Sequence, residues 1–140
     1  MVFIDTCVLV YATTPLSPFH QAARDALGTT AGDGAISRQV LREFLAVMSR
    51  VQASAAPLAM PVLAAAVNAF ALRYSVLEDG PAVTDELLRL LASTACGGRQ
   101  IHDANIVATM LSHGVTRLLT HNVADFHRFE PQIEVVPITS

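Results

Sequence analysis

A chain of 140 residues carries a formal charge of −3, and its nine basic residues are all arginine, which excludes chemistries that depend on lysine, phosphate-loop and Schiff-base catalysis among them. The acidic balance also argues against strong nonspecific binding of nucleic acid, which rests on many cationic contacts to phosphates. Two cysteines, Cys7 and Cys96, without paired spacing, speak for reduced thiols in a cytoplasmic protein and against a zinc site.

The length fits one domain, residues 1–140, able to bury roughly 70% of the surface of its unfolded chain. Met1-Val2-Phe3-Ile4 reads as a short strand apolar on both faces, as at the centre of a parallel sheet, and it runs directly into Asp5 with no leader before it. Asp5 has two readings. It is a good cap for a helix over Asp5–Ala12, and it stands at the carboxyl end of a strand, where open α/β sheets bind ligands.

Ser17-Pro18 then supplies a cap and a first-turn proline for a helix closed by Gly28. A turn at Ala31–Gly34 precedes a strand at Ala35-Ile36. The stretch from Arg38 to Val51 is amphipathic, with Val40, Leu41, Phe44, Leu45, Met48 and Val51 on one stripe and Glu43 on its flank. From spacing alone, an ordinary surface pairing with Arg42 or Arg50 is the favoured reading of Glu43.

From Val51 to Leu72 there is no charged residue, a span long enough for a bilayer. Its alanines, polar residues and prolines suit a loop followed by a helix over Pro61–Tyr74 better, so no membrane segment is expected. A strand at Ser75–Leu77, a turn, and a helix from Pro81 to about Ser93 follow, with Val83, Leu87, Leu88, Leu90 and Leu91 turned inward. Glu78, Asp85 and Glu86 suit that helix's positive end, and Asp79 is a weak site candidate.

A loop over Ala95–Arg99 leads to a helix from Ile101 to His113, closed by Gly114. Asp103 projects beside its apolar face, where a carboxylate is costly unless paired or bound to a cation, although a first-turn acid also complements the helix dipole. Arg117–Thr120 is a strand, His121–Phe126 lies at its carboxyl end, and Ile133–Val136 is the last strand. The alternation predicts a three-layer α/β domain with a mainly parallel sheet flanked by helices, and right-handed crossovers bring Asp5 and Asp125 to one side of it.

Four segments now stand together: Asp5-Thr6; Ser37-Arg38-Gln39-Val40-Leu41-Arg42-Glu43-Phe44; Ile101-His102-Asp103-Ala104-Asn105; and Leu119-Thr120-His121-Asn122-Val123-Ala124-Asp125-Phe126. In this order and spacing, over essentially the whole chain, they resemble the four motifs of PIN-domain ribonucleases, and most closely the VapC toxins of toxin–antitoxin pairs. The resemblance implies a single PIN domain with metal-binding acids at Asp5, Glu43, Asp103 and Asp125. It implies supporting polar residues at Thr6, Thr120 and Asn122, a homodimer, and a cognate antitoxin that blocks the active site. Cys7 departs from the small polar residue common at its position.

The donor chemistry agrees. Like charges about 4 Å apart repel by about 4 kcal/mol at an effective dielectric of 20, so convergent carboxylates call for a cation, and oxygen-only ligands select Mg²⁺ or Mn²⁺. The expectation is metal-assisted hydrolysis of an RNA phosphodiester, with Arg38 and Arg42 as substrate or antitoxin contacts or as solvated helix charges. A noncatalytic PIN-like module binding RNA or protein, and a DNA nuclease of related fold, are the alternatives. An aspartyl phosphatase lacks its second acid and lysine, and a triad hydrolase lacks Gly-x-Ser-x-Gly.

Overall fold

The computed structural model describes residues 1–50 and 58–139. Val51, placed by its sequence at the end of an amphipathic stripe, and the first part of the uncharged stretch lie outside the described residues. No helix among the described residues is long and apolar enough to cross a membrane.

The elements follow as β1 (Val2–Ile4), α1 (Thr6–Thr13), α2 (His20–Gly28), β2 (Gly34–Ser37), α3 (Arg38–Met48), α4 (Met60–Arg73) and β3 (Ser75–Leu77). Then come α5 (Pro81–Ser93), α6 (Gln100–Ser112), β4 (Arg117–Thr120), α7 (Val123–Phe126) and β5 (Glu134–Pro137), with a 3₁₀ turn at His127–Phe129 between the last two. The five strands form one sheet in the order β3-β2-β1-β4-β5, and all four pairings are parallel. The expected α/β class and flanking helices are both present, with the sheet wholly rather than mainly parallel among the described strands.

β1 is central because its residues tolerate nothing else. Phe3 and Ile4 are fully buried, one on each face of the sheet, and β1 pairs with β4 in the register Phe3↔Leu118 and Ile4↔Leu119. The helices pack in two groups, α1 with α2 and α3 on one side and α5 with α6 on the other. Strand order reverses direction at β1 and β4, so the crevice between their carboxyl ends is the topological switch point where doubly wound folds bind ligands.

Two details depart from the sequence reading. α2 begins at His20 and not at Pro18: the Ser17 hydroxyl oxygen accepts the Phe19 N–H (3.1 Å) and its carbonyl the His20 N–H (3.1 Å), a tight turn that leads into the helix. Leu88 is 61% exposed, whereas Val83 and Leu90 are the buried members of α5, because the face packed on α6 and the sheet is narrower than the run of leucines. Gly114 does end α6 as expected, at φ 73°, with the Val115 N–H returning to the Met110 carbonyl at 2.9 Å.

Gly34 opens β2, one residue earlier than the turn chemistry suggests, and a Cβ there would stand 2.7 Å from a ring carbon of the buried Tyr74. Gly34→Ala is therefore expected to destabilise the protein by about 1–3 kcal/mol, the usual cost of overpacking a filled core. Chemical denaturation of the two proteins checks this; an unchanged midpoint would show that Tyr74 yields freely.

Candidate active site

Asp5 sits where β1 becomes α1, and the two readings of it merge into one. It is buried, and its Oδ1 accepts the Thr6 N–H at 2.8 Å as the cap of α1. Its Oδ2 accepts the Thr120 hydroxyl at 2.7 Å and the Cys7 thiol at 3.4 Å. The Asp5 N–H in turn donates to the Leu119 carbonyl at 3.0 Å, continuing the β1–β4 ladder into the site. Burial nevertheless raises the Asp5 carboxyl above the ordinary range; the three hydrogen bonds oppose the shift, and the charge of Glu43 adds to it.

Glu43 projects from α3 onto the same crevice and pairs with no arginine among the described residues. Its Oε2 accepts the Thr6 hydroxyl at 2.9 Å and its Oε1 the Gln39 amide at 2.9 Å. Asp103, in the first turn of α6, and Asp125, on α7, complete the set. All four acids line one cavity of about 590 Å³, together with Thr6 and Asn122. They come from four different elements and from both helical groups, which meet over the end of β1.

The acids feel one another. The Asp103 carboxyl is pushed up to about 6, by burial first and then by the charges of Asp5, Asp125 and Glu43, with Arg128 opposing. They do not form a closed cage. Among the described residues, no three histidine, cysteine or acidic side chains gather tightly enough to hold an ion between them. Oxygen-only donors in a cavity where carboxylates raise one another still suit a hydrated hard cation, since Mg²⁺ keeps several waters and takes one or two carboxylates directly.

The supporting residues divide by role. Thr6 ties Asp5 to Glu43, its N–H donating to one and its hydroxyl to the other. Thr120, fully buried, donates to Asp5 and accepts the Asn122 N–H at 3.0 Å. Asn122 acts through its backbone, its carbonyl accepting the Asp125 N–H at 3.1 Å to start α7, while its side chain borders the cavity. Cys7 retains a donor's place: burial and then the charge of Asp5 push its thiol up to about 12, so it stays protonated toward Asp5 while its sulfur accepts the His121 N–H at 3.5 Å.

Arg38 is engaged with Glu78 at 2.8 Å on the surface, and Arg42 is exposed outside the cavity. Asp79 also stays outside it, but reaches it through two residues that the sequence reading passed over. Asp79 accepts the Asn105 amide at 3.0 Å, Asn105 donates to the Gln39 carbonyl oxygen at 2.8 Å, and Gln39 donates to both Glu43 and the His102 backbone carbonyl at 2.9 Å. Gln39 is buried, so this chain fixes α3 against α6 beside both acids. The available signal was an uncharged polar residue one helical turn before Glu43.

The PIN domain family model matches residues 2–130. The chain belongs to the PIN-domain family. This PIN-domain chain is 33% identical over 144 aligned residues to a Mycobacterium tuberculosis protein named Ribonuclease VapC24, covering 100% of this chain and 99% of that relative. The fold is shared with a toxin–antitoxin complex from Klebsiella pneumoniae, at TM-score 0.73, 18% identity and coverage of 100% and 99% of the two chains. It is shared also with VapBC2 from Rickettsia felis bound to a DNA fragment from their promoter, at TM-score 0.71, 19% identity and 98% coverage of each chain.

Two outcomes follow for the PIN-domain site. A carboxyl raised in the folded state favours folding while protonated, so the Asp103 contribution is greatest at low pH and is lost as pH rises through about 6. In EDTA, Asp103→Asn is expected to flatten this part of the pH dependence of thermal stability between about pH 4 and 6; a dependence identical to the parent's would contradict the shift. Gln39→Leu leaves Glu43, Asn105 and the His102 carbonyl short of partners and is expected to cost about 1–3 kcal/mol in denaturant melts.

Proposed function

We propose that this protein is a metal-dependent endoribonuclease acting as the toxin of a toxin–antitoxin pair, built as one PIN domain over residues 1–140. The observation that carries the reading is the convergence of Asp5, Glu43, Asp103 and Asp125 on one cavity at the β1–β4 switch point, with Asp103 raised by the other three. The ribonuclease name of a relative one-third identical over the whole chain supports the activity, and the toxin–antitoxin complexes of the same fold support a cognate antitoxin as partner. The protein works in the cytoplasm, and a homodimer is the assembly expected of it.

Asp5 and Asp103 hold the cation, Mg²⁺ or Mn²⁺, with Glu43 and Asp125 binding it directly or through water or orienting the attacking water. When bound, the ion polarises a phosphoryl oxygen and eases deprotonation of a water for in-line attack. Thr120, Cys7 and the Thr6 N–H keep Asp5 aimed into the cavity. Thr6 and Gln39 fix Glu43, whose two oxygens retain further lone pairs for a water proton. RNA is the substrate, and the charge of the cation offsets the repulsion between an acidic protein and its phosphates.

The test is cleavage of a mixed RNA pool by the purified, antitoxin-free protein in Mg²⁺, in Mn²⁺ and in EDTA, beside Asp103→Asn. Cutting should require the metal and fall at least about a hundredfold in the variant, since even the outer partners of metal ligands act on that scale. Mg²⁺ should also raise the melting temperature of the parent more than that of the variant. A folded protein that cuts no RNA with either ion would leave a noncatalytic RNA- or protein-binding module, and preferential cutting of the matched DNA strand would make it a DNA nuclease.

A further inference from the structure

The cavity has a second wall that metal chemistry does not use. Beside the acids, Val10 and Tyr11 of α1 and Ala46 and Val47 of α3 line the same cavity, as do Arg50 and Arg99. We propose that this wall is a subsite for one unpaired nucleobase next to the bond being cut, with the Tyr11 ring as its stacking surface and the two arginines receiving the neighbouring phosphates. The inference rests on the ribonuclease reading and adds to it the residues that grip the substrate.

Tyr11 is held for this task. Its ring lies 5.1 Å from that of Phe19 and meets the His121 ring edge-on at 5.6 Å, while Phe19 and His121 lie 4.1 Å apart. The Tyr11 carbonyl is further tied to the His20 ring at 2.9 Å. The ring is therefore braced by two aromatic neighbours and, half-buried, still borders the cavity. His121 follows Thr120, the donor to Asp5, so a single loop braces the aromatic wall and aims the first acid. A surface fixed before binding loses little freedom when a ligand arrives.

Charge and shape select the ligand. A hydrated cation gains nothing from valine and tyrosine, whereas every nucleobase has a π-face that stacks on an aromatic ring regardless of sequence. Arg38, Arg89 and Arg117 are spent in ion pairs with Glu78, Glu86 and Glu134, but neither Arg50 nor Arg99 enters an ion pair among the described residues. In an acidic protein, two uncommitted cations lining the acidic cavity match an incoming phosphate chain. A crevice of about 590 Å³ has room for an extruded nucleotide beside the acids.

The test uses a short single-stranded RNA in which 2-aminopurine, whose emission falls on stacking, or an abasic unit replaces one base at a time. It is bound in Mg²⁺ to cleavage-deficient Asp103→Asn protein, alone and combined with Tyr11→Phe, Tyr11→Leu or Ala46→Asp, each checked for folding by thermal melting. One position should show quenching with Tyr11 and with Phe at that site. Tyr11→Leu should lose the quenching and bind about tenfold or more weakly, the scale of one base–aromatic stack. An abasic unit at that position should weaken binding to the Asp103→Asn background but add no further loss to Tyr11→Leu. Ala46→Asp, on the facing wall, should weaken binding with Tyr11 intact. If RNA binds but ignores the abasic unit and both walls, the subsite is overturned and the nuclease reading stands. If no form of the protein binds RNA, both fall together.

Discussion

The structure depends on keeping a carboxylate at the end of a buried strand. Phe3 and Ile4 demand a place in the middle of the sheet, and the residue after them is Asp5, which therefore enters a setting that penalises its charge. Three donors answer that penalty, one from the first turn of α1, one from the next residue's thiol and one from the end of β4. The Thr120 bond is made across 115 residues, so pairing β1 with β4 and restraining the acid are the same event. The remaining three acids are arranged around a group already fixed in place.

Most of this arrangement is legible in the chain because it rests on local signals. The apolar run Val2-Phe3-Ile4, Pro81, Gly114 and the amphipathic spacing of Arg38–Met48 each announce an element, and alternation of strands with helices announces the layers. The four acids fall at strand ends or on the flanks of apolar helix faces, where a charge calls for explanation. Asp5 and Asp103 each allowed a structural and a functional reading, and in the fold both hold: Asp5 caps α1 while bordering the cavity, and Asp103 sits in a helix's first turn while burial and then the neighbouring acids hold its proton more tightly.

What was not legible is long-range pairing of neutral groups. Gln39 and Asn105 carry no charge, and beyond the one-turn spacing of Gln39 from Glu43 nothing in the sequence marks their partners, yet they join Asp79, Glu43 and the His102 carbonyl into one chain of bonds. Their partners lie 66 and 26 residues away from Asn105, and only the crossing of α3 and α6 brings them together. The same limit explains Leu88 and Ser17. A leucine looks inward until the width of the contacting face is known, and a serine before proline announces a turn whose first helical residue its own bonds do not fix.

The site's four acids stand at positions 5, 43, 103 and 125, with the first and last brought together only when β4 docks beside β1. A chain emerging from a ribosome carries Asp5 and Glu43 well before that pairing is possible, and long-range parallel pairing is among the slower events of folding. A chain ending before β4 lacks both the Thr120 donor to Asp5 and the fourth acid, so the cavity is completed by the last part of the chain to be made.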